Sequence, residues 1–500
     1  MASGESMMGD ERSYKMSKAG LSKKDERFRE FALHGNLWKV VFTVGFPLAL
    51  YQTLSLVFRL LDTMMASHIS AESVSAVAYL SQINNVLSAV GGGLAIGGSL
   101  EISKAYGAGD FEMVKKRVNS LLGLCGLLSL GVLSMIPFSG TILRFANTPK
   151  ELIGIGSRYF SIELVAMVIT YINNVYIAVE RARGNTKRIL NLNMMIIVVK
   201  LSLTALFIYV LHGDIQMIAI ADVAAQSVML VAAIVNLNKK GNAFGFSLKS
   251  ISFKKPVIGP MLTLSGPVMV EKAAFSFGKV IVNSMSGQYG PLAVGALGIS
   301  NNIGAVTTGP QNGFQESGAA IISQNLGANQ VKRALDTFKR VLAINLIIGA
   351  IGLVTTLVFL KPFSYIFASS SSGFDIEFQN MIIEMYKFEC IGSCIPLGIN
   401  AAVISLLLGF GYTKYTLIIN FCRVFAFRIP VLYALQKFTN LGAKSCGVVM
   451  CISNISVTVL SSIIAFFVIV RICKEHNIKF WAKEEQAESE ELSLISSCEE

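Results

Sequence analysis

Charge is scarce in this chain. Asp, Glu, Lys and Arg make up 15% of its 500 residues, and 53% are hydrophobic. A soluble domain carries about 25% charge, so the shortage excludes an ordinary soluble fold and makes the apolar run of about 20 residues the unit to count. Histidine is scarcer still. His34, His68, His212 and His476 all lie outside the cores of the apolar runs. No HExxH, GxSxG or triad spacing occurs, and the chain is not expected to be an enzyme. The eight cysteines are too few and too scattered for a disulfide framework. Cys390 and Cys394 share a helix turn inside an apolar run, as do Cys446 and Cys451 more loosely. With no His nearby they read as small packing residues rather than zinc ligands. The net charge of +12 brings no basic stripe with interleaved aromatics, so nucleic acid is not an expected partner. Residues 1–36 are polar and carry no expected signal peptide.

What is present is a series of twelve apolar runs, near 38–65, 74–100, 118–138, 157–180, 189–211, 215–238, 257–284, 291–320, 335–360, 381–408, 413–436 and 446–471. Lys and Arg concentrate in alternate connections. Lys115, Lys116, Arg117, Arg181, Arg183, Lys187, Arg188, Lys239, Lys240, Lys254, Lys255, Lys332 and Arg333 fall on one side, against Arg144, Lys150, Lys361, Lys437 and Lys444 on the other. By the positive-inside rule both termini are expected in the cytoplasm of a multi-pass plasma-membrane protein.

The chain also repeats. Shifted by 220 residues, segment 91–109 lies on 311–329 with six identities in 19: Gly93/Gly313, Gly98/Gly318, Ile102/Ile322, Ser103/Ser323, Gly107/Gly327 and Ala108/Ala328. The same shift places Pro47 on Pro267. Six spans separate the copies, which gives a parallel repeat with a site expected between the halves. The expected fold is all-α and integral to the membrane, with twelve transmembrane helices in two pseudo-symmetric six-helix bundles around a central cavity. The boundaries are a cytoplasmic tail at 1–37, bundles at 38–238 and 257–473, a basic linker at 239–256, and an acidic cytoplasmic tail at 474–500.

Ionised groups inside the runs stand out, because each costs roughly 2.5–3.5 kcal/mol at the centre of a bilayer helix on insertion scales. Arg59 and Asp62 are three apart, so one helix face carries both, and Pro47 upstream can bend that helix. Lys200 and Asp222 flank the turn at 212–214 and differ in depth by about 5 Å on antiparallel helices, within reach of a Lys side chain. Glu271 and Lys272 follow Pro267 by one turn, and Lys279 comes two turns later. Glu163, Glu384 and Glu389 read as solvated residues near span ends or paired with Lys387. Arg423 and Arg428 read as members of an ion pair with a carboxylate of the seventh or tenth span. The Gly-rich stretches 91–98 and 309–318 lack the strand-turn-helix context and the Lys of a phosphate loop. Glycine there permits close helix contact and bending. Asn84/Asn85 and Asn301/Asn302 recur in the two halves.

Local motifs are more specific. Pro47 is followed fifteen residues later by Asp62-Thr63. GAG stands at 107–109, ERARGNTKR at 180–188, NLGANQVKRA at 325–334, and GFGYTKYTLIINFCRVFAFRIP at 409–430. Over about 38–471 the chain resembles the MATE family of multidrug and toxic-compound exporters. The resemblance implies a secondary exporter that moves cationic or amphipathic small molecules by alternating access. The cargo would leave against inward H⁺, or less readily Na⁺, with no other cofactor, no metal site and a monomer in the lipid bilayer. It makes Asp62 a carboxylate that titrates or binds Na⁺. The ionised residues Arg59, Lys200 and Asp222 complete the expected cation-coupling set. Gln52, Glu271, Lys279, Asn302 and Asn400 are implied to face the substrate cavity, and Pro47 and Pro267 to be hinges.

Departures from the family pattern leave alternatives open. Arg59 stands where relatives do not usually carry a fixed cation, so Asp62 is either a coupling group or a static partner. Lys200 and Asp222 are either a relay or a structural ion pair between the fifth and sixth spans. Glu271 either faces the cavity or pairs with a neighbouring Lys. Na⁺-coupled relatives carry a Glu where Phe275 stands here, and an acid in the tenth span where the matching region has Asn400. These differences favour coupling in the N-terminal half, most simply to protons. The alternative function is a flippase for a lipid-linked saccharide, which would need several cations facing a pyrophosphate. A channel or sensor is disfavoured by the repeat and by the lack of a filter-like segment.

Overall fold

The computed structural model describes residues 21–66, 71–145, 150–239, 242–370 and 373–481. Within them, the side chains of 56–66, 71–82 and a few scattered positions lie outside the description. The expected coupling residues Arg59 and Asp62 are among those side chains.

The described residues are mostly helical. A short amphipathic helix, α1 (Lys23–His34), precedes the first long helix, α2 (Leu37–Ala66). Then come α3 (Ala71–Ala108), α4 (Phe111–Leu133), the short α5 (Ser139–Phe145), α6 (Lys150–Ala182), α7 (Thr186–Ala205) and α8 (Ile215–Leu237). The second half runs through α9 (Lys255–Ser286), α10 (Pro291–Gly327), α11 (Val331–Val358), the short α12 (Leu360–Ala368) and α13 (Ile376–Ser393). It ends with α14 (Pro396–Gly409), α15 (Thr413–Phe421), α16 (Ile429–Phe438) and α17 (Lys444–Glu475). A two-residue antiparallel ribbon, Ser369–Ser370 with Gly373–Phe374, closes one connection.

Among the described residues nine helical segments are long and apolar enough to cross a membrane, and α13 with α14, bent by 40°, forms a tenth. The helices α9 and α10 fall outside that criterion. Both are long, at 32 and 37 residues, and both are diluted by polar side chains that face a cavity rather than lipid. With them the order of elements accommodates the twelve expected spans.

Local chemistry fixes the ends and the breaks. Asp110 caps α4 by accepting the Met113 N–H at 2.9 Å, and Asp375 caps α13 by accepting that of Phe378 at 2.9 Å. Pro47 and Pro267 sit inside α2 and α9. Between α15 and α16 the backbone widens into a π-helical stretch, Cys422–Arg428. Pro430 follows two residues later and has no N–H to offer the carbonyl of Ala426, so the α-helical ladder cannot run through unbroken. The α13–α14 bend precedes Pro396. The carbonyl of Cys394 that it frees accepts from the buried Gln311 side chain at 2.8 Å.

The two halves meet reciprocally. In the first half α2 packs on α10, and α3 packs on α9. A Cβ at Gly107 would strike the carbonyl of Gln324, and one at Gly327 would strike the carbonyl of Lys104. Residues 104 and 324, like 107 and 327, are related by the 220-residue repeat. Deeper along the same seam, Gly93 lies on the backbone of Met269 and Gly313 on that of Ala49, again a repeat-related pair of contacts. One core runs across the halves, joining Val40, Val44 and Ala49 of α2 with Phe314 of α10, Val341 of α11 and Leu407 of α14.

Residues 23–34 of the expected tail fold against this seam. Asp25, Ala32 and Leu33 are buried, and the Tyr106 hydroxyl donates to the Asp25 carbonyl at 2.6 Å. The linker is fastened too. Asn119 accepts from the Ser247 N–H at 2.7 Å and donates to the Gly245 carbonyl at 3.0 Å, while Phe244 is buried edge-on to Tyr106.

Candidate functional site

A polar cavity of about 510 Å³ lies on the C-terminal side of the seam. Its wall is built mainly from α9, α10, α13, α14 and the α15–π stretch, and Gln52 of α2 closes the other side. Gln52, Glu271, Lys279, Asn302 and Asn400, the residues expected to face a substrate cavity, all border it.

Helical spacing explains the α9 wall. Glu271, Phe275 and Lys279 recur every four residues and stack along one face. Glu271 is buried and accepts hydrogen bonds from Thr416 at 2.7 Å and Asn420 at 2.8 Å. Among the described residues these hydroxyl and amide partners stand where the sequence held a lysine pairing open. One turn further out, Phe275 carries two cations on its ring, Lys279 Nζ at 5.0 Å and the Arg423 guanidinium at 5.2 Å.

Glu389 corrects the sequence reading. It is 4% exposed, it lines the cavity, and it accepts a hydrogen bond from the Ser300 hydroxyl. The bent span formed by α13 and α14 runs from Ile376 to Gly409, so Glu389, about 20 Å along α13 and one turn before the bend, lies mid-span rather than near a span end. The charges that face it are Arg428, Arg423 and Lys279. Glu384 does hold an exposed position, paired with Lys444 at 3.1 Å. Glu163 is half-buried and accepts from Asn84 at 3.2 Å.

Arg423 and Arg428 also differ from expectation. Neither makes an ion pair among the described residues. Arg423 donates Nε and Nη2 to the Asn454 side-chain oxygen at 3.1 and 2.8 Å. Arg428 donates to Ser453 at 3.2 Å and to the same Asn454 oxygen at 3.1 Å. The π-helical stretch turns both side chains to the cavity, and no sequence period reports such a turn.

In the other half Lys200 and Asp222 meet at 3.2 Å, both about a quarter exposed. Arg59 and Asp62 lie outside the described side chains. Among the described residues no group of three or more His, Cys, Asp or Glu stands close enough to hold a metal ion.

At the end that carries the basic connections the halves are tied together. Arg181 pairs with Glu316 at 2.5 Å, Gln324 donates to the Ala182 carbonyl at 2.6 Å, and Gly107 touches Gly327's turn. None of these ties was legible in the sequence, since each joins residues more than 100 positions apart.

The MatE family model matches residues 47–206 and 267–434, more than half of the chain. Its two blocks open on Pro47 and Pro267, the repeat-related prolines. The chain belongs to the MatE family. This MatE protein is 23% identical over 417 residues to a probable multidrug resistance protein, YoeA, of Bacillus subtilis, covering 81% of this chain and 88% of that one. It is 22% identical over 341 residues to the multidrug export protein MepA of Staphylococcus haemolyticus, covering 67% and 74%. Its fold superposes with a TM-score of 0.85 on a MATE crystallised with MaL6, at 18% identity over 91% of this chain and all of that one. It superposes at 0.83 on a multidrug resistance MATE transporter in its outward-facing conformation, at 18% identity over 90% and 99%.

Proposed function

We propose that this MatE protein is a secondary active exporter of amphipathic small molecules, driven by inward movement of H⁺ in preference to Na⁺. The observation that carries the reading is the polar cavity of about 510 Å³ beside a seam closed at one end. A cavity of that size suits a drug-sized ligand. The names of the similar bacterial proteins, multidrug resistance and multidrug export, support the same cargo class.

Alternating access follows from the repeat. Two bundles joined by close glycine contacts can rock about the seam, opening the cavity to one face and then the other. Coupling is assigned to the N-terminal half, at Asp62 with Arg59, Lys200 and Asp222. Glu271 and Gln52 are assigned to the cargo. One charge crossing 100 mV supplies about 2.3 kcal/mol, enough for less than two decades of accumulation. The lining favours export over a lipid-linked saccharide flippase. Its four cations, Lys272, Lys279, Arg423 and Arg428, are offset by Glu271, Glu316 and Glu389 rather than arranged as an uninterrupted ring.

The test is dye efflux from inverted vesicles with ΔpH and Na⁺ gradients imposed separately. Efflux is expected to follow ΔpH and to vanish in Asp62→Asn while the protein remains folded by size-exclusion chromatography. Undiminished efflux in that variant would overturn the coupling assignment.

A further inference from the structure

Among the described residues Glu271, Glu316 and Glu389 are the acids that border the cavity, and they are held in two different ways. Glu271 accepts from Thr416 and Asn420, and Glu389 from Ser300, all within the second half of the chain. Glu316 is held from the other half. Its partner Arg181 stands in the last turn of α6, with Nη1 2.5 Å from the Glu316 carboxylate. Moving the halves apart leaves Glu271 and Glu389 with those partners and takes the guanidinium away from Glu316.

The pair forms a floor to the cavity. Glu316 lines the chamber of about 510 Å³, and with Arg181 it also lines a narrow pocket of about 20 Å³. The narrow pocket has room for about one water. Two turns further along α10, Gln324 donates to the Ala182 carbonyl at 2.6 Å, and beyond it Gly107 and Gly327 meet the opposite backbone. A cargo entering between the halves from that end has to part these contacts before it reaches Glu316. Arg181 keeps only 7% of its side chain exposed, whereas Glu316 keeps 24% and borders the chamber.

A carboxylate stripped of its cation in a part-buried wall attracts another cation. Arg181 and a cationic cargo then compete for one group. The returning guanidinium neutralises the charge that held the cargo and repels the cargo's own charge. A ligand shifts a two-state equilibrium only by its difference in affinity for the two states. This exchange supplies such a difference, because cargo on Glu316 favours separated halves and Arg181 on Glu316 favours the closed seam.

We propose that Glu316 is the carboxylate that loads a cationic cargo when the seam opens at the basic end, and that Arg181 is the built-in cation that displaces the cargo as the seam closes. The proposal rests on the export reading and adds to it the residue pair that ties closure to release.

The test is uptake of ethidium, a permanent cation, into inverted vesicles that carry the full-length protein, with KM and maximal rate measured separately. Glu316→Gln is expected to raise KM about tenfold. Arg181→Gln is expected to lower KM and to slow the maximal rate about tenfold, because the cargo is no longer displaced. Arg181→Lys keeps a cation and should restore most of the rate. A purely structural tie would move KM in the same direction in both glutamine variants, and that result would overturn the proposal, as would an unchanged KM in both. A second readout leaves residues 181 and 316 intact. In Ala182→Cys, saturating ethidium should increase maleimide labelling, since bound cargo holds the seam apart. No increase there would overturn the proposal even if a glutamine variant fails to fold. If the wild type accumulates none of ethidium, rhodamine 6G and tetraphenylphosphonium, the export reading itself fails. Wild-type uptake with parallel KM shifts would remove only the exchange at Glu316.

Discussion

Arg183 grips Asp25 with two hydrogen bonds, Nε to Oδ1 at 3.1 Å and Nη2 to Oδ2 at 2.6 Å, across 158 positions of sequence. The same guanidinium donates to Glu180 at 3.1 Å and lies over Phe244 at 5.1 Å. Helix α1 is thereby fixed to the connection between α6 and α7. Arg29 adds bonds to the Tyr106 and Gly107 carbonyls at 2.9 and 2.8 Å, and Arg333 of the other half reaches the Ala32 and Gly35 carbonyls. A segment of twelve residues therefore straps both halves at one end of the molecule.

Asp25→Asn should cut the strap at its centre. The pair is nearly buried, with side-chain exposures of 10% and 8%. Breaking one partner of such a pair costs about 3 kcal/mol. A lower melting temperature by fluorescence-detected size exclusion is the expected result, and Arg183→Gln should lower it further because it also releases buried Glu180. A double variant no worse than Arg183→Gln alone would show that Asp25 acts through that contact.

Gly107→Ala and Gly327→Ala should each push a Cβ into a backbone carbonyl of the opposite half. Overpacking of this kind costs about 1–3 kcal/mol. Maleimide labelling of a cysteine introduced at Ala182 should rise in both variants as the seam opens. The double variant should fall short of the sum, because one separation relieves both clashes.

Lys200 and Asp222 invite a charge exchange. Lys200→Gln alone should lower thermal stability by about 1–3 kcal/mol, as one partner of a part-buried pair is left behind. The exchanged pair, Lys200→Asp with Asp222→Lys, should recover that stability. Coupled efflux should stay low if the two work with Asp62, and full recovery would make them a structural pair only.

The fold was legible because bilayer spans announce themselves by length and apolarity, and because the repeat leaves identical glycines 220 residues apart. The cavity lining was legible for a related reason, since Glu271, Lys279 and Asn302 are polar where the surrounding run is apolar. Glu389 was missed because its span was counted from residue 381, although the helix begins a turn earlier and bends before Pro396. Arg423 and Arg428 were seen, but their partners were not. A π-helical stretch changes which residues share a face, and the period of 3.6 does not report it. Helix α1 was hidden by its polar composition, for its apolar contacts and its Arg183 clamp belong to distant sequence.

The reciprocal glycine contacts have the form of a homodimer interface, in which residue i touches j and j touches i. Here both copies of the contact lie in one chain. In a true dimer, any substitution at such a seam appears on both sides of the axis at once. Fusion lifts that constraint. Gly107 and Gly327 keep the shared geometry, yet the polar chamber is built almost wholly from one half, and the Lys200–Asp222 pair stands in the other. Two copies of one bundle have thus been free to diverge, one lining the polar chamber and one carrying the Lys200–Asp222 pair, while the seam between them stays the same from either side.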